Sequence, residues 1–452
     1  MDAVTTPSAA ASVVPAPAAV TGGGKLRLLI VTLVVVALAE FIGPAQFQAG
    51  PGKVVLLPML WALLMAAAWG AAHNQLPAVV RIDRGLQGLA GGLLNAALLL
   101  FVVKLSLTVG GALPLVMKAG WALFFQEFGH AFGTLALGLP LALILGIKRE
   151  AVGSTFSVGR EGNIAIIGEK YGMASAEGRG VLAEYITGTV LGALFIAVLA
   201  GFIASLNIFD PRSLAMGAGV GSGSLMAAAL GTITAQLPPH MVEEVTAIAA
   251  ASNLLTMVVG FYFTLFLSLP ACSWLYYKLE PVLGRLTARG RQAQEEAAPD
   301  AGSALSHAHG FTLGDSLLAW VLMTGGVIIA NAVSYKVSPL ASLEGMLVIV
   351  AIVAAITALK RLIPRLPLVI TLAMAATAIG IPGLFPFTAT VLELTGKLNF
   401  LAFTTPVLAL AGFSVAKDLP LFRRLGWRIV VVSLAATAGT FLGATLIAEF
   451  FH

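Results

Sequence analysis

The segment GAGVGSGSLMAAALG, residues 217–231, decides how this chain is read. It places four glycines and two serines within its first eight residues, in a chain that is otherwise overwhelmingly apolar. A plain bilayer anchor would use Leu, Ile, Val and Phe there. Two readings stand. Gly217 with Gly221 and Gly219 with Gly223 form overlapping GxxxG pairs, which suit a helix that another helix approaches closely. Alternatively the backbone opens into a broken helix or hairpin tip. Its exposed amides, with Ser222 and Ser224, would then hold an anionic group at the positive end of a helix. Two features favour the second reading. Serines on both sides of a glycine add ligands that packing does not need. Asp210 and Pro211 interrupt the chain just before, and the run from Gln236 to His240 just after, so the segment is short for a full span and suits a re-entrant excursion.

Working outward, the whole chain has 452 residues, 58% hydrophobic and only 10% charged. A soluble domain carries roughly 25% charged residues. The mean hydropathy of +0.95 makes lipid the solvent for most of the chain and implies an all-α integral membrane protein. The net charge of +5 does not point to nucleic acid, because Lys and Arg sit in short loops between apolar runs. Cys272 is the only cysteine, which excludes a disulfide framework and a Cys-based metal site. Residues 1–24, rich in Ala, Pro, Ser and Gly, read as a disordered tail, and Lys25 and Arg27 open the first apolar run.

Apolar runs near 26–43, 54–72, 88–109, 181–206, 243–272, 313–334, 341–360, 366–383 and 429–449 are joined by three interrupted ones, 112–147, 213–233 and 387–414. The expectation is about 10–12 transmembrane segments. The polar stretch 278–311 reads as a linker between an N-terminal half, 25–277, and a C-terminal half, 312–452. The halves look related. GTVLGALFIA at 188–197 and GTFLGATLIA at 439–448 agree at seven of ten positions, and Glu127, Pro140 and Gly146 recur at the spacing of Glu393, Pro406 and Gly412. Internal repeats are a recurring plan of secondary transporters. The Lys/Arg clusters can all lie in the cytoplasm if 213–233 is a re-entrant hairpin and the C-terminus lies outside. The two halves then share one orientation, whereas most transporters of this plan have inverted halves, and the sequence leaves both arrangements open.

Polar positions inside apolar runs are costly and therefore informative. In FFQEFGHAFGTLALGLPLALILG, 124–146, Glu127 and His130 lie among Gly129, Gly133 and Pro140. The segment either contains a break lining a polar cavity or forms an interfacial turn. Its counterpart carries Glu393, Asn399, Thr404 and Thr405. Downstream of the hairpin candidate, Ser252, Asn253 and Thr256 fall roughly one helical turn apart. In the loop 155–172, Arg160 is a candidate carboxylate partner beside Asn163, or else these charges only set topology. Lys104 is expected to snorkel to the interface. No Walker A loop, HExxH, GxSxG or paired acidic Mg²⁺ motif occurs.

The strings GREGNIAIIGEKYG, GRGVLAEYITGT, SLNIFDPRSLAMGAGVGSGSLMAAA and ASNLLT, with the closing KDLPLFRRLGWRIVVV and GTFLGATLIA, resemble a bacterial multi-pass membrane family, the domain-of-unknown-function 3100 group. That resemblance implies the bacterial inner membrane. More loosely, MGAGVGSGSLMAAA is similar to the glycine motif of sodium/glutamate symporters at Gly217, Gly219, Gly221 and Ser222, with Val220 where that family has His. That likeness implies an elevator-type fold with a mobile transport domain, and by analogy a homodimer.

The leading expectation is a secondary active transporter, not an enzyme, for a small organic anion, a carboxylate or amino-acid-like solute. The substrate would be held by Gly219, Gly221, Ser222, Gly223, Ser224 and Asn253, with Arg160 and Asn163. Coupling to Na⁺ or H⁺ would use Glu127, His130, Ser252, Thr256, Glu393, Asn399, Thr404 and Thr405. No bound cofactor or resident metal is expected, and the partners are the solute and the lipid bilayer. An uncoupled channel or exporter is the alternative, and an intramembrane enzyme using Glu127 and His130 a third.

Overall fold

Short polar residues start the helices, because a side-chain oxygen satisfies amides that have no partner inside the helix. Thr21, Asp83, Ser175, Asp210, Ser222 and Asn399 each accept from a first-turn backbone N–H, and Thr312 forms a reciprocal capping box with Asp315. The computed structural model describes residues 21–49, 52–158, 161–172, 175–258, 260–283, 312–366, 368–419 and 426–451.

In chain order, α1 (Gly22–Ile42) leads through a hairpin of β1 (Ala45–Ala49) and β2 (Gly52–Leu56) to α2 (Pro58–Ala71), α3 (Arg84–Gly111) and α4 (Leu113–Ile144). The strands pair antiparallel, Ala45 opposite Leu56. Next come α5 (Glu150–Thr155), α6 (Glu161–Lys170) and α7 (Ala176–Thr187), which passes through a π-helical turn, Gly188–Gly192, into α8 (Ala193–Ser205). Then follow α9 (Pro211–Gly219), α10 (Gly223–Thr234), α11 (Pro239–Val258), α12 (Gly260–Phe263), a second π-helical turn, Thr264–Ser268, and α13 (Leu269–Leu283). The C-terminal part holds α14 (Leu313–Ser334), α15 (Pro339–Leu362), α16 (Leu368–Gly380), α17 (Thr388–Gly396), α18 (Phe400–Ala416) and α19 (Trp427–Glu449).

Among the described residues, six helices are long and apolar enough to cross a membrane: α3, α4 from Gly120 onward, α7 with α8, α14, α15 and α19. A seventh is added if α17 and α18, bent by 66° at their junction, count as one span. This is fewer than the 10–12 expected, because apolar composition is not length. α2 has 14 residues, α16 13 and α10 12, while α1 carries Lys25, Arg27 and Glu40.

Small residues bring these helices together. Lipid tails are as apolar as Leu, so close backbone approach rather than hydrophobic burial drives association. Gly129 and Gly133 of α4 lie against Gly443 and Gly439 of α19, and a Cβ on any of the four would run into the facing carbonyl. Gly412 of α18 is set the same way against Leu63 and Ala66 of α2. The contacts cross the chain midpoint, so helices from the two sequence halves interleave.

Three expectations are corrected here. The glycines at 129 and 133 do not break α4, which is continuous from Gly120 to Ile144; they are contact points for α19, and the one non-helical residue is Gly120, with φ 38°. The matched strings differ locally, since 188–192 is π-helical whereas 439–448 lies in a regular α-helix. The α1 helix begins at Gly22 inside the expected tail, while residues 1–20 and 284–311 lie outside the described residues.

Candidate functional site

The direction of each helix around residues 217–231 follows from its hydrogen bonds. Thr232 of α10 donates to Ala197 O of α8 at 3.0 Å, and Gln236 to Gly201 O at 2.9 Å, so α10 runs parallel to α8 and ends beside it. Only five residues separate Ser205 from Pro211, so α9 must start at that same level and run back. Arg212 pairs with Glu244 at 2.7 Å, and Ser252 donates to Met216 O at 2.8 Å, which sets α9 parallel to α11. Thus α9 and α10 form a helical hairpin. Nine residues at 1.5 Å rise put its tip about 13 Å below the start of α9, well short of a bilayer core of about 30 Å.

Close packing and a backbone break both occur in the glycine segment, at different residues. Gly217 and Gly219 are packing glycines: a Cβ on Gly217 would meet Thr445 and Phe441 O of α19, and one on Gly219 would meet Ser252 and Ala249 O of α11. Gly221 is the break. Its φ of 124° is a conformation that side chains disfavour. A Cβ on Gly223 would make only ordinary contact, with Leu98 of α3 at 3.6 Å. Ser222 caps α10 at Leu225 N, 3.4 Å, and meets the Ser224 hydroxyl at 3.1 Å; both serines are half-buried.

Asn253 spans the break. Its amide nitrogen donates to Gly219 O at 2.7 Å and to Gly221 O at 3.1 Å. Ser252, the residue before it, accepts from Gln126 of α4 at 2.7 Å. Close by on α11, Thr256 donates to Glu127, whose other carboxylate oxygen lies 3.4 Å from His130 Nδ1. Glu127 is fully buried and His130 nearly so. The chain continues through Thr134, which donates to His130 O and meets Thr440 of α19, each at 2.6 Å.

A second break separates α17 from α18 and is bridged in the same way. Asn331 of α14 donates to Lys397 O at 3.5 Å and to Ser342 at 3.1 Å, and its carbonyl accepts from Asn399 N at 3.2 Å. Lys104 donates to Thr395 O at 2.9 Å, so its ammonium satisfies the last carbonyls of α17 instead of snorkelling. One wall joins the two breaks, since α3 presents Leu98 to Gly223, Phe101 to Phe400 and Phe403, and Lys104 to Thr395.

The expected residues divide accordingly. Gly219, Gly221, Ser222, Gly223, Ser224 and Asn253 gather at the hairpin tip, with Ser252, Thr256, Glu127 and His130 alongside. At the second break Asn399 caps α18 and Thr404 donates to Leu401 O at 2.6 Å within its own helix, whereas Thr405 reaches Glu40 of α1 at 2.6 Å. Glu393 is exposed on α17 and joins neither cluster. Asn163 is buried in α6, its amide nitrogen without a hydrogen-bond partner among the described residues, and α6 packs on α7 rather than on the hairpin. Arg160 lies outside the described residues. Sequence reading passed over Gln126, Asn331 and Glu40, although each is a polar residue in an apolar run, the signal that found Glu127.

Among the described residues no group of three His, Cys, Asp or Glu side chains could hold a metal ion. A cavity of 290 Å³ is lined by Phe128, Phe263, Phe266 and Leu267 and is apolar throughout. No curated protein and no solved structure matches the chain. A family match does, over residues 37–278, which hold the hairpin, α4 and α11; the chain therefore belongs to the family described as protein of unknown function (DUF3100).

Proposed function

We propose that this multi-pass membrane protein is a secondary active transporter of a small organic anion, coupled to H⁺ or Na⁺. The observation that carries the reading is the hairpin tip, at depth in an apolar bundle, within two turns of a buried carboxylate. Non-helical backbone at membrane depth is tolerated where protein or a polar cavity covers it. The first amides of α10, with the Ser222 and Ser224 hydroxyls, suit a carboxylate at the positive end of a helix. Asn253 holds that tip open instead of serving as a primary ligand. Asn253 and Thr256 share α11, so a proton gained or lost at Glu127 is transmitted to the tip through one rigid helix. The likeness to sodium/glutamate symporters rests on Gly217, Gly219, Gly221 and Ser222 alone; elevator motion, related halves, a homodimer and the bacterial inner membrane belong to the same proposal.

Thermal stability of the purified protein in detergent, against small carboxylates and amino acids with and without Na⁺, tests the reading. A ligand that binds only the folded state raises stability by mass action. One acid that stabilises strongly, and more so with Na⁺ or at lower pH, is the expected result. No shift with any acid under any condition refutes the anion assignment.

A further inference from the structure

Among the described residues three buried carboxylates face a basic side chain, and Glu40 does not. Among the described residues five are buried: Glu40, Glu127, Glu177, Glu184 and Asp315. Glu177 pairs with Arg149 and Asp315 with Lys25 at 2.6 Å, while Glu127 faces His130 and Glu184 has an interaction of its own. Glu40, only 5% exposed near the end of α1, accepts from two hydroxyls and from nothing basic: Thr405 of α18 at 2.6 Å on one oxygen, and Ser334 of α14 on the other. The helices packed on α1 offer no counter-charge. The α2 and α18 sequences contain no ionisable residue, Lys104 of α3 is committed to Thr395 O, and Arg84 starts α3 next to Asp83, which pairs with Arg27 at the opposite end of α1. α14 ends in the phenol of Tyr335, and the neighbouring Lys336 donates to Val333 O at 2.7 Å. An uncompensated carboxylate in such a place is costly.

We propose that Glu40, Thr405 and Ser334 form a second site for an exchangeable monovalent cation, H⁺ or Na⁺. Four oxygen atoms from three side chains converge there, the donor type that hard cations prefer. Ser334, exposed at the end of α14, opens the site outward. The site also ties α1 to both sides of the second break. Ser334 is one turn beyond Asn331, which bridges that break, and Thr405 lies in the helix that leaves it. An empty, charged Glu40 draws both hydroxyls onto itself, whereas a bound cation competes for its oxygens and loosens those contacts. The inference deepens the coupling part of the proposed function.

Infrared spectra of the purified full-length protein test it directly, first across pH in Na⁺-free buffer and then with Na⁺ added at the alkaline end. Proton binding gives a titrating protonated-carboxyl band that Glu40→Gln diminishes and Glu127→Gln leaves in part. Sodium binding gives a Na⁺-induced shift of a carboxylate band that Glu40→Gln removes. Either result supports the site and names its ion. A wild type with neither signal, or signals unchanged in Glu40→Gln, overturns it. Should Glu40→Gln not fold, Thr405→Val carries the test. Losing one hydroxyl donor to the carboxylate should raise the titration midpoint, or weaken Na⁺ binding, by about tenfold in affinity, and an unmoved titration overturns the proposal. No transported solute is needed, so cation binding without uptake would refute transport alone.

Discussion

Replacing Asn253 by Asp keeps the shape of the side chain and removes the amide that holds the hairpin tip. The orientation of Asn253 is not arbitrary: turned over, its oxygen would face two carbonyl oxygens, at 2.7 and 3.1 Å, with no hydrogen between. Asn253→Asp therefore removes the donor to Gly219 O and Gly221 O together. Interhelical polar contacts in membranes average about 0.6 kcal/mol, which sets a floor of about 1 kcal/mol for two. Buried acceptors left unsatisfied cost about 1–3 kcal/mol each, which brings the upper end to about 4 kcal/mol or more. A difference of about 1.4 kcal/mol is tenfold in an equilibrium. Amide exchange in the peptide covering 217–226 should accelerate between about fivefold and several hundredfold, at mildly alkaline pH where the new carboxylate stays ionised. The contact between α4 and α19 shares no partner with Asn253, and its exchange should not change. A folded Asn253→Asp protein whose tip exchanges less than about twofold faster would refute the claim that this amide holds the break.

Gly133→Ala adds a methyl group against Gly439 O and should lower stability by about 1–3 kcal/mol, offset in part by better helix propensity; Gly23→Ala, where nothing lies within 4 Å, is the control in the same melting experiment. Glu127→Gln should abolish pH-driven uptake in proteoliposomes while the protein still elutes as a folded species, because the Gln carbonyl can still accept from Thr256; normal proton-driven uptake would count against the proton role. Lys104→Met should accelerate amide exchange around 395–401 and leave the hairpin tip unchanged, which separates the two breaks. At Arg149 partial burial works against the charged guanidinium, yet the hydrogen bond and charge of Glu177 hold its proton more tightly than usual. A raised cation contributes stability below its ordinary range and loses it only above, so the pair should show no pH dependence at neutrality. Arg149→Gln should cost about 1 kcal/mol or less at this partly exposed site, measured by thermal melting.

How much of this could be read from residues alone depended on the kind of signal. Apolar composition announced the membrane. The alternation of glycine with serine at 217–224, bounded by Asp210-Pro211 and by the prolines before His240, carried the helical hairpin, because only a chain reversal accommodates a short apolar run between two breakers. Helix count was less legible. A window of apolar residues does not reveal that α2 stops at Ala71 or that α10 and α16 span little more than half a bilayer. The role of a glycine was illegible locally, since Gly129, Gly133 and Gly221 look alike in sequence. The first two serve α19, which lies more than 300 residues away, and only the third turns the backbone.

The pairing of polar groups was the deepest omission, and it shows what organises the site. Each break exposes carbonyls that lipid cannot satisfy, and each is closed by an asparagine from a neighbouring continuous helix, Asn253 in α11 and Asn331 in α14. Each of those helices carries, within about one turn, a hydroxyl that reaches a buried carboxylate: Thr256 to Glu127, and Ser334 to Glu40. A single helix thus touches a buried carboxylate and bridges a backbone break. On the proposed reading that pairing, repeated on either side of α3, would supply two sites whose occupancy bears on the interrupted backbone, one with an imidazole beside it and one built from oxygen alone. Chemical unlikeness between two such sites is what a coupled transporter needs if its two events are to respond to different ions, or to the same ion at different concentrations.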